Sequence, residues 1–422
     1  MSKNIKGVIP KWRFESFDRY PKWDIKKFGC LMEPINERAG DKKYVLMSVT
    51  SGVGLIPQVE KFGREIAGNS YKNYYVIRKN DFAYNKSSTK EFPEGYISML
   101  KKYEEAAIPN SIFTCFRVID DEYEPIFFEQ FFNTNYHGKW LRKYIEIGAR
   151  AHGALSIDTK HLWNMPIAVP KLLEQKKIAD CLSSIDDLIS AEEKKLSLLN
   201  DYKKGWMQKL FPAEGKTFPE WKFPEFGDND GWMEKKLGEI GEPLMCKRVF
   251  KEQTSKDSKN GVPFYKIGTF ENEADSFIPI EIYEEYKNKY SFPKSGDILI
   301  SASGTIGRSV VYNGSPAYFQ DTNIVWIDNN ERQIINQFLY YCYSNLKWQT
   351  SDGGTVRRLY NSNLKNMVIS YPKNIKEQKK IANFLSGIND LINRQTDKIE
   401  ALKQHKKALM QGLFPSIEEV CK

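Results

Sequence analysis

The sequence predicts a mixed α/β protein in which two domains are each followed by one long helix. A stretch of 39 residues that begins at Glu174 is repeated without a gap from Glu377, and 21 of the 39 positions are identical. Both copies have the apolar spacing of a helix, whereas the segments before them contain short β-branched and aromatic runs typical of strands. An ungapped internal repeat of this length indicates a duplicated architecture.

Each copy of the repeat predicts a long helix with a coiled-coil seam. Apolar residues recur at alternating steps of four and three, which is typical of a seam rather than of a broad globular face. Neither copy has an internal proline and both end at a Phe-Pro pair, so 39 residues give a rod of roughly 58 Å. The predicted seam residues are Ile178, Leu182, Ile185, Ile189, Leu196 and Leu199 in the first copy, and Ile381, Leu385, Ile388, Ile392, Ile399 and Leu402 in the second.

Polar residues interrupt both seams at the same positions. Glu192 corresponds to Gln395, and Lys203 corresponds to Lys406. Polar seam residues usually fix the register of a coiled coil, so we expect these four to do so. Two unrelated surface helices are the alternative interpretation, which the ungapped repeat disfavours.

The segments before the two helices correspond at their ends and differ between them. PKWRFESF begins at Pro10 and PEWKFPEF at Pro219, and each segment closes with a Leu-x-Asn-Met stretch that leads through a proline into its helix. Between these ends they share little beyond matched strands such as Asp81–Tyr84 and Asp297–Ile300. Such a frame is expected of a scaffold that presents two similar domains with different recognition roles. The predicted boundaries are domain 1 at 1–170, the first long helix at 171–213, domain 2 at 214–373 and the second long helix at 374–422.

Within the domains, alternating apolar runs bounded by turn residues predict short strands, and helices are fewer. The predicted strands include Tyr74–Ile77, Ser111–Val118, Gly296–Ser301 and Asn323–Ile327, and the predicted helices are Pro125–Phe132, Lys139–Tyr144 and Arg332–Leu346.

Composition excludes several classes of protein. With 422 residues, 41% of them hydrophobic and 14% aromatic, the chain is neither disordered nor restricted to one core. No apolar run reaches the length of a membrane helix, so no membrane partner is expected. The cysteines are scattered without a C-x-x-C pair and the N-terminus lacks a secretory signal, which predicts a reducing cytoplasm and no metal site. A net charge of +9 permits a nucleic-acid partner.

Known catalytic motifs are absent from the sequence. It contains no phosphate-binding G-x-x-x-x-G-K-[ST] loop, no dinucleotide-binding G-x-G-x-x-G and no Asn-Pro-Pro-aromatic tetrapeptide. We therefore expect neither an enzyme nor a bound cofactor.

The repeated EQKKIA…LFP helix, each copy preceded by a diverged domain that opens with P-x-W-[RK]-F, resembles the specificity subunit of type I restriction-modification systems. The resemblance covers nearly the whole chain. It implies a non-catalytic subunit whose two target recognition domains each recognise one half of a gapped duplex DNA sequence. It also implies that the helices form an antiparallel coiled coil with a pseudo-twofold axis. The implied partners are double-stranded DNA, two adenine-N6 methyltransferase subunits and, in the full complex, motor-nuclease restriction subunits.

Polar, basic and glycine-rich turns after strands are the candidates for DNA contact, because duplex binding needs cations and backbone N–H groups for phosphates and side chains that reach base edges. In domain 2 the candidate turn, residues 301–308, resembles the family's Ser-Gly-x-Ile-Gly sequence. We expect its Arg308 to contact DNA without supporting the fold. A solvated hairpin tip is the alternative at each position. The candidates are Lys86, Ser87, Ser88, Thr89, Lys90, Arg150 and His152 in domain 1, and Ser303, Gly304, Thr305, Arg308, Arg357 and Arg358 in domain 2.

Two other functions compete with a DNA-specificity subunit. A fused single-chain restriction and methylation enzyme is disfavoured by the missing catalytic motifs. A coiled-coil adaptor with two protein-binding domains would ignore DNA, whereas a DNA-binding chain should lose affinity steeply with salt.

Overall fold

The computed structural model describes residues 7–50, 52–67, 69–145, 155, 158–227, 231–348 and 358–421. Contacts divide the chain into two units, one formed by Met1–Glu193 with Asp397–Lys422 and the other by Lys194–Thr396. Each unit therefore contains one mixed α/β domain together with a part of each long helix.

Domain 1 is built from short strands and short helices, as its alternating apolar runs predict. Its strands are β1 (Asp24–Lys27), β2 (Met32–Pro34), β3 (Met47–Thr50), β4 (Gly54–Pro57), β5 (Tyr75–Arg78), β6 (Phe82–Asn85), β7 (Tyr96–Met99), β8 (Glu105–Ile108), β9 (Phe113–Val118) and β10 (Pro166–Val169). Its helices are α1 (Gln58–Phe62), α2 (Pro125–Phe132), α3 (Tyr136–Leu141) and α4 (Thr159–Trp163). The first long helix, α5 (Leu172–Leu210), follows β10.

Domain 2 repeats this composition with different lengths. Its strands are β11 (Met233–Lys236), β12 (Pro243–Leu244), β13 (Gly261–Tyr265), β14 (Phe277–Pro279), β15 (Ile298–Ser301), β16 (Ser309–Val311), β17 (Tyr318–Phe319), β18 (Ile324–Ile327) and β19 (Val368–Tyr371). Its helices are α6 (Ile280–Lys289), α7 (Asn336–Asn345) and α8 (Asn361–Asn366), and the long helix α9 (Ile375–Leu413) and the short helix α10 (Ile417–Val420) follow. Both long helices have 39 residues, and each begins two residues before the repeated Glu-Gln pair.

The central sheets of the two domains have the same strand order. Domain 1 has the order β2-β9-β6-β7 and domain 2 has β12-β18-β15-β16, with every neighbouring pair antiparallel. Strands β6 and β15 contain the matched residues noted in the sequence. The loops that follow them, residues 86–95 and 302–308, therefore lie at the same end of their sheets.

The turn that enters each of these strands is also shared. Asn80 and Gly296 have positive φ angles of 73° and 93°, a conformation open mainly to glycine and asparagine. Asp81 and Asp297 each accept a hydrogen bond from the backbone N–H three residues earlier, at 2.6 and 2.7 Å. Burial raises the pKa of both carboxyls.

A β-hairpin and a helix precede the central strand in each domain. Strands β3 and β4 pair and lead through Pro57 into α1, and β13 and β14 pair and lead through Pro279 into α6. Helix α1 has five residues and α6 has ten. The two domains are therefore variants of one fold.

The Phe-Pro pair at the end of each long helix places its phenylalanine in a domain core. In the first unit the ring of Phe414 lies 5.3 Å from that of Phe127. In the second unit Phe211 stacks on Phe338 at 5.4 Å. Both Phe414 and Phe211 are buried, so the repeated ending anchors each helix as well as terminating it.

The two long helices run antiparallel where the contacts within one unit define their direction. In the first unit Asp186 pairs with Lys406 and Glu192 with Lys398, so later residues of α5 meet earlier residues of α9. The predicted seam is buried at Ile178, Leu182, Ile189, Ile381, Leu385, Ile388 and Ile399 and half-buried at Ile185, Leu196, Leu199, Ile392 and Leu402. No helix in the described ranges is both long and apolar enough to cross a membrane.

Candidate nucleic-acid interface

The β6–β7 loop of domain 1, residues 86–95, holds five of the predicted contact residues. Its start is ordered by Asn85 Oδ1, which accepts a hydrogen bond from Ser87 N at 3.1 Å, and by Thr89 Oγ1, which accepts one from Phe92 N at 3.0 Å. Lys86 and Ser87 are half-buried, whereas Ser88, Thr89 and Lys90 are exposed. Neither lysine forms an ion pair with any described residue, so both ammonium groups can meet an external anion.

His137 supports the far end of the same loop. This residue is 1% exposed, and its Nε2 lies 3.3 Å from the carbonyl oxygen of Gly95. Burial lowers the pKa of His137 to about 4, so the imidazole is neutral at physiological pH. Its role here is structural, because the buried ring holds the end of the loop.

The equivalent β15–β16 loop of domain 2 is a compact turn. Ser301 Oγ donates to Thr305 O at 2.6 Å and accepts from Arg308 N at 2.9 Å. Gly304 and Gly307 have positive φ angles of 65° and 86°. A Cβ atom on Gly307 would lie 2.1 Å from Trp348 Nε1, so no larger residue fits at this position.

The expectation that Arg308 has no role in the fold is wrong. Its Nη2 donates to Ile267 O at 2.7 Å and its Nη1 to Phe270 O at 3.3 Å. Its guanidinium also lies 3.5 Å from a Glu271 carboxylate oxygen. Arg308 therefore fastens the β15–β16 loop to the β13–β14 connection, because the guanidinium satisfies backbone carbonyls that are distant in sequence.

Of the other predicted residues of domain 2, Ser303 lies in this turn and Arg358 pairs with it. Ser303 Oγ donates to Asn323 Oδ1 at 2.9 Å, and Ser303 forms an isolated β-bridge with Arg358. Arg358 Nη2 donates to the backbone oxygen of Thr322 at 3.1 Å. The structure thus brings Ser303, Gly304, Thr305, Arg308 and Arg358 together. Arg150, His152 and Arg357 lie outside the described residues.

Sequence reasoning missed the role of the Glu-Gln pair that begins each repeat. Glu174 is 1% exposed and accepts hydrogen bonds from Arg13 Nη2 at 2.6 Å and Trp23 Nε1 at 3.0 Å. The equivalent Glu377 is 3% exposed and lies 3.7 Å from Lys222 Nζ. Each glutamate thus binds a cation of its own domain's opening segment. Buried charges are normally paired, so these contacts attach the start of each long helix to its own domain.

The neighbouring glutamines make the same three hydrogen bonds in both units. Gln175 accepts from the backbone N–H of Glu124, just before α2, and Gln378 accepts from Ile335, just before α7. Both amides donate to the proline before the long helix, at 2.9 and 2.8 Å, and to one further carbonyl of the domain. The signal in the sequence was that the Glu-Gln pair is identical in both repeats. Residues that are exposed to solvent at the start of a helix need not be identical in two copies.

Some residues that are identical in the two repeats remain exposed. Leu188 and Leu391 occupy the same repeat position and are 43% and 51% exposed, and the preceding Asp187 and Asp390 are exposed as well. Packing within the chain does not account for an exposed leucine that occurs twice. In the part of the chain that the structure describes, no cluster of His, Cys, Asp and Glu could hold a metal ion.

A sequence model of the family described as "Type I restriction modification DNA specificity domain" matches residues 36–201 and again residues 229–404. The two matches cover most of the chain and follow its internal repeat.

Curated relatives are named as specificity subunits. A type I restriction enzyme specificity subunit of Haemophilus influenzae is 51% identical over 172 residues, which are 40% of this chain and 44% of that protein. The MjaVIII specificity subunit of Methanocaldococcus jannaschii is 30% identical over 298 residues, 66% of this chain and 68% of the relative. The chain thus spans less than half of the Haemophilus protein and about two thirds of the archaeal one.

Solved structures show the same fold. The crystal structure of the type I restriction-modification S subunit from M. genitalium aligns with a TM-score of 0.58 at 15% identity, covering 97% of this chain and 100% of that one. A chain from a structural study of complex assembly and conformational transition in the type I R-M system aligns at 0.52 and 18% identity, covering 93% and 98%. By its repeated domain matches and its fold, this chain belongs to the family of type I restriction-modification specificity subunits.

Proposed function

We propose that this chain is the DNA sequence-specificity subunit of a type I restriction-modification complex, in which each domain recognises one half of a gapped duplex site. The observation that carries this proposal is that the two domains share a sheet yet carry different residues in the loop after its central strand. Domain 1 has an open loop with two lysines in its first half, and domain 2 has a compact turn closed by Arg308. A shared frame with different loops is expected when two domains recognise different bases.

A domain exchange tests this division of labour. Residues 214–365 are replaced by the matching domain of a relative, and adenine methylation is mapped across the genome of a host that expresses the complex. We expect one half of the methylated sequence to change and the other to stay. A change in both halves at once would contradict independent recognition.

The long helices are proposed to dock two adenine-N6 methyltransferase subunits and to set the gap between the half-sites. Support comes from Leu188 and Leu391, because two equivalent exposed leucines are suited to two copies of one partner. Motor-nuclease subunits would join this assembly in the full complex.

The docking proposal is tested with the paired substitutions Leu188→Asp and Leu391→Asp. Because both side chains are exposed, the free chain should keep its stability while it loses methyltransferase subunits in size-exclusion chromatography with light scattering. Ile185→Lys on the same helix is the contrast, since it places a charge in the half-buried seam and should reduce the stability of the chain itself. Full assembly of the paired variant would exclude this surface.

The chain itself is proposed to be non-catalytic, with methyl transfer and cleavage supplied by its partners. The purified chain should neither methylate nor cut DNA. Binding of the complex to duplex DNA should weaken steeply between low and moderate salt, as phosphate neutralisation requires. If the complex showed no salt-dependent binding to duplex DNA, the chain would instead be a protein adaptor.

A further inference from the structure

Domain 1 contains a cleft of about 610 Å³ between the β3–β4–α1 segment and the β6–β7 loop. We call it the domain-1 cleft. The polar residues that line it and matter here are Thr50, Lys61, Asn85, Ser87, Lys90 and Glu91. Ser87 and Lys90 are among the predicted contact residues, whereas Lys61 is not.

The same place in domain 2 is closed by its own side chains. There the guanidinium of Arg308 bridges from the β15–β16 loop to the carbonyl groups of Ile267 and Phe270, which follow β13. At the helix position equivalent to Lys61, counted from the proline before the helix, domain 2 has Tyr283, which is 2% exposed. In the described part of domain 2, side chains therefore occupy the place between hairpin and loop that is open in domain 1.

The ammonium group of Lys61 lies at the wall of the domain-1 cleft, and one of its three N–H donors has no partner among the described residues. Its Nζ donates to Val49 O at 3.0 Å and to Ser48 Oγ at 3.3 Å. An ammonium group has three N–H donors and no acceptor, so the third can bind only an external acceptor. The two bonds to β3 hold the charge in place.

Asn85 supplies a second unused donor. It is 8% exposed, and its Oδ1 is fixed by the hydrogen bond from Ser87 N. Its Nδ2 makes no hydrogen bond with any residue in the described ranges. At the equivalent position in domain 2, Ser301 uses its hydroxyl inside the turn, with partners at 2.6 and 2.9 Å.

We propose that the domain-1 cleft is a DNA-binding subsite in which Lys61 Nζ and Asn85 Nδ2 donate to acceptors of the duplex. The acceptor chemistry is that of a guanine edge, with O6 and N7, or of a backbone phosphate. Lys61 and Lys90 against Glu91 leave one net positive charge, which suits either source. This proposal rests on the proposed function and adds a specificity-determining site to domain 1.

The test uses the complex of the full chain with its methyltransferase subunits and a duplex that carries the site mapped by genomic methylation. Lys61→Met removes the ammonium but keeps the stem, and Asn85→Asp keeps the acceptor for Ser87 N but removes the N–H donors. Each should weaken binding by about 10- to 100-fold, and Lys61→Arg should retain most of the affinity. Lys79→Met is the matched control, since Lys79 lies in the turn at the opposite end of β6.

Duplexes with single base-pair changes and a salt series separate the two acceptors. Loss of discrimination at one base pair of the domain-1 half-site indicates a base edge, whereas a uniform loss with a salt slope shallower by about one indicates a phosphate. The subsite is wrong if Lys61→Met and Asn85→Asp bind as Lys79→Met does while their thermal unfolding matches wild type. It is also wrong if the loss maps to the other half-site. Failure of the wild-type complex to bind its mapped duplex would instead reject the proposed function.

Discussion

Lys406 on the second long helix lies 2.7 Å from both carboxylate oxygens of Asp186 on the first. The lysine side chain is 14% exposed and the aspartate 40%. The repeat has Lys203 and Asn389 at the equivalent positions, so the carboxylate is present only once. The ion pair therefore distinguishes one part of the coiled coil from the other.

Lys406→Met should destabilise the chain by about 1 kcal/mol, because it removes the partner of a half-exposed carboxylate. Lys203→Met is the matched control. Burial lowers the pKa of Lys203, so replacing it should be neutral or stabilising. Urea unfolding of Lys406→Met, Asp186→Asn and the double variant gives the coupling energy between the two side chains. A coupling energy near zero would mean that the ion pair does not help to fix the register of the two helices.

Arg308→Ala should reduce the free energy of unfolding of the second unit by about 1–3 kcal/mol, since two backbone carbonyls lose their donors. Arg308→Lys should recover only part of this, because one ammonium cannot reproduce the fork of a guanidinium. Chemical denaturation followed by tryptophan fluorescence measures the effect. Unchanged stability would show that the two hydrogen bonds of Arg308 contribute nothing measurable to the folded state.

The contrast between the long helices and Arg308 explains what can be predicted from the sequence. The helices have a local period and occur twice, so the seam from Ile178 to Leu402 follows from spacing alone. The partners of Arg308 are carbonyl groups about 40 residues away, and backbone carbonyls leave no pattern in a sequence. Lys61 was missed for a related reason, because its neighbours are brought together only by the pairing of β3 with β4 and by the β6–β7 loop.

The start of each long helix depends on contacts that the seam period does not reveal. The identity between the two repeats begins at the Glu-Gln pair, whereas each long helix begins two residues earlier, at Leu172 and Ile375. The buried glutamines hold those first turns through the preceding proline carbonyl. Such a tertiary restraint cannot be deduced from the period of the seam.

His137 should make domain 1 less stable in acid. Its pKa is about 4 in the folded state against 6.5 in a free side chain, so the unfolded chain takes up the proton first. The free energy of unfolding should fall as pH decreases from about 6.5 to about 4 and then level off, with a full extent of about 3 kcal/mol. His137→Gln should lack this fall.

The measurement is urea unfolding of wild type and His137→Gln at several pH values between 7.5 and 4. Other groups whose protonation differs between the folded and unfolded states, including the carboxyls of Asp81 and Glu129 whose pKa values burial raises, are common to both proteins and cancel in the difference. Parallel pH curves would show that the imidazole is protonated in the folded state or is reached by water.

Gln378→Glu should weaken the attachment of the start of α9 to domain 2. The carboxylate can still accept from Ile335 N, but it cannot donate to Pro372 O and Gln333 O, and unpaired buried groups destabilise by about 1–3 kcal/mol each. Gln411→Glu, at an exposed position of the same helix, is the control and should change stability little. Hydrogen exchange at the start of α9 should rise in the first variant only; equal exchange in both would show that the glutamine is dispensable.

The long helices should act as a ruler for the gap between the half-sites. Four residues added to each helix, after Ala191 and after Arg394, lengthen each by roughly 6 Å. At about 3.4 Å per base pair, this corresponds to close to two further base pairs of gap. The half-sites themselves should stay the same, because no DNA-contacting side chain is changed.

Four residues also rotate a helix by about 40° beyond one full turn, so the inserted segments must continue the seam pattern for the helices to pair. The control carries four residues after Gly215, in the exposed loop that follows the Phe-Pro pair, which leaves both helices and the buried Phe211 in place. Among variants that assemble with methyltransferase, genomic methylation mapping should return the old half-sites with a wider gap only for the helix insertions. An unaltered gap there, or an equal change in the loop variant, would assign the spacing to the domains and their connections, because the helix length would then have no effect on the distance between the two recognised sequences.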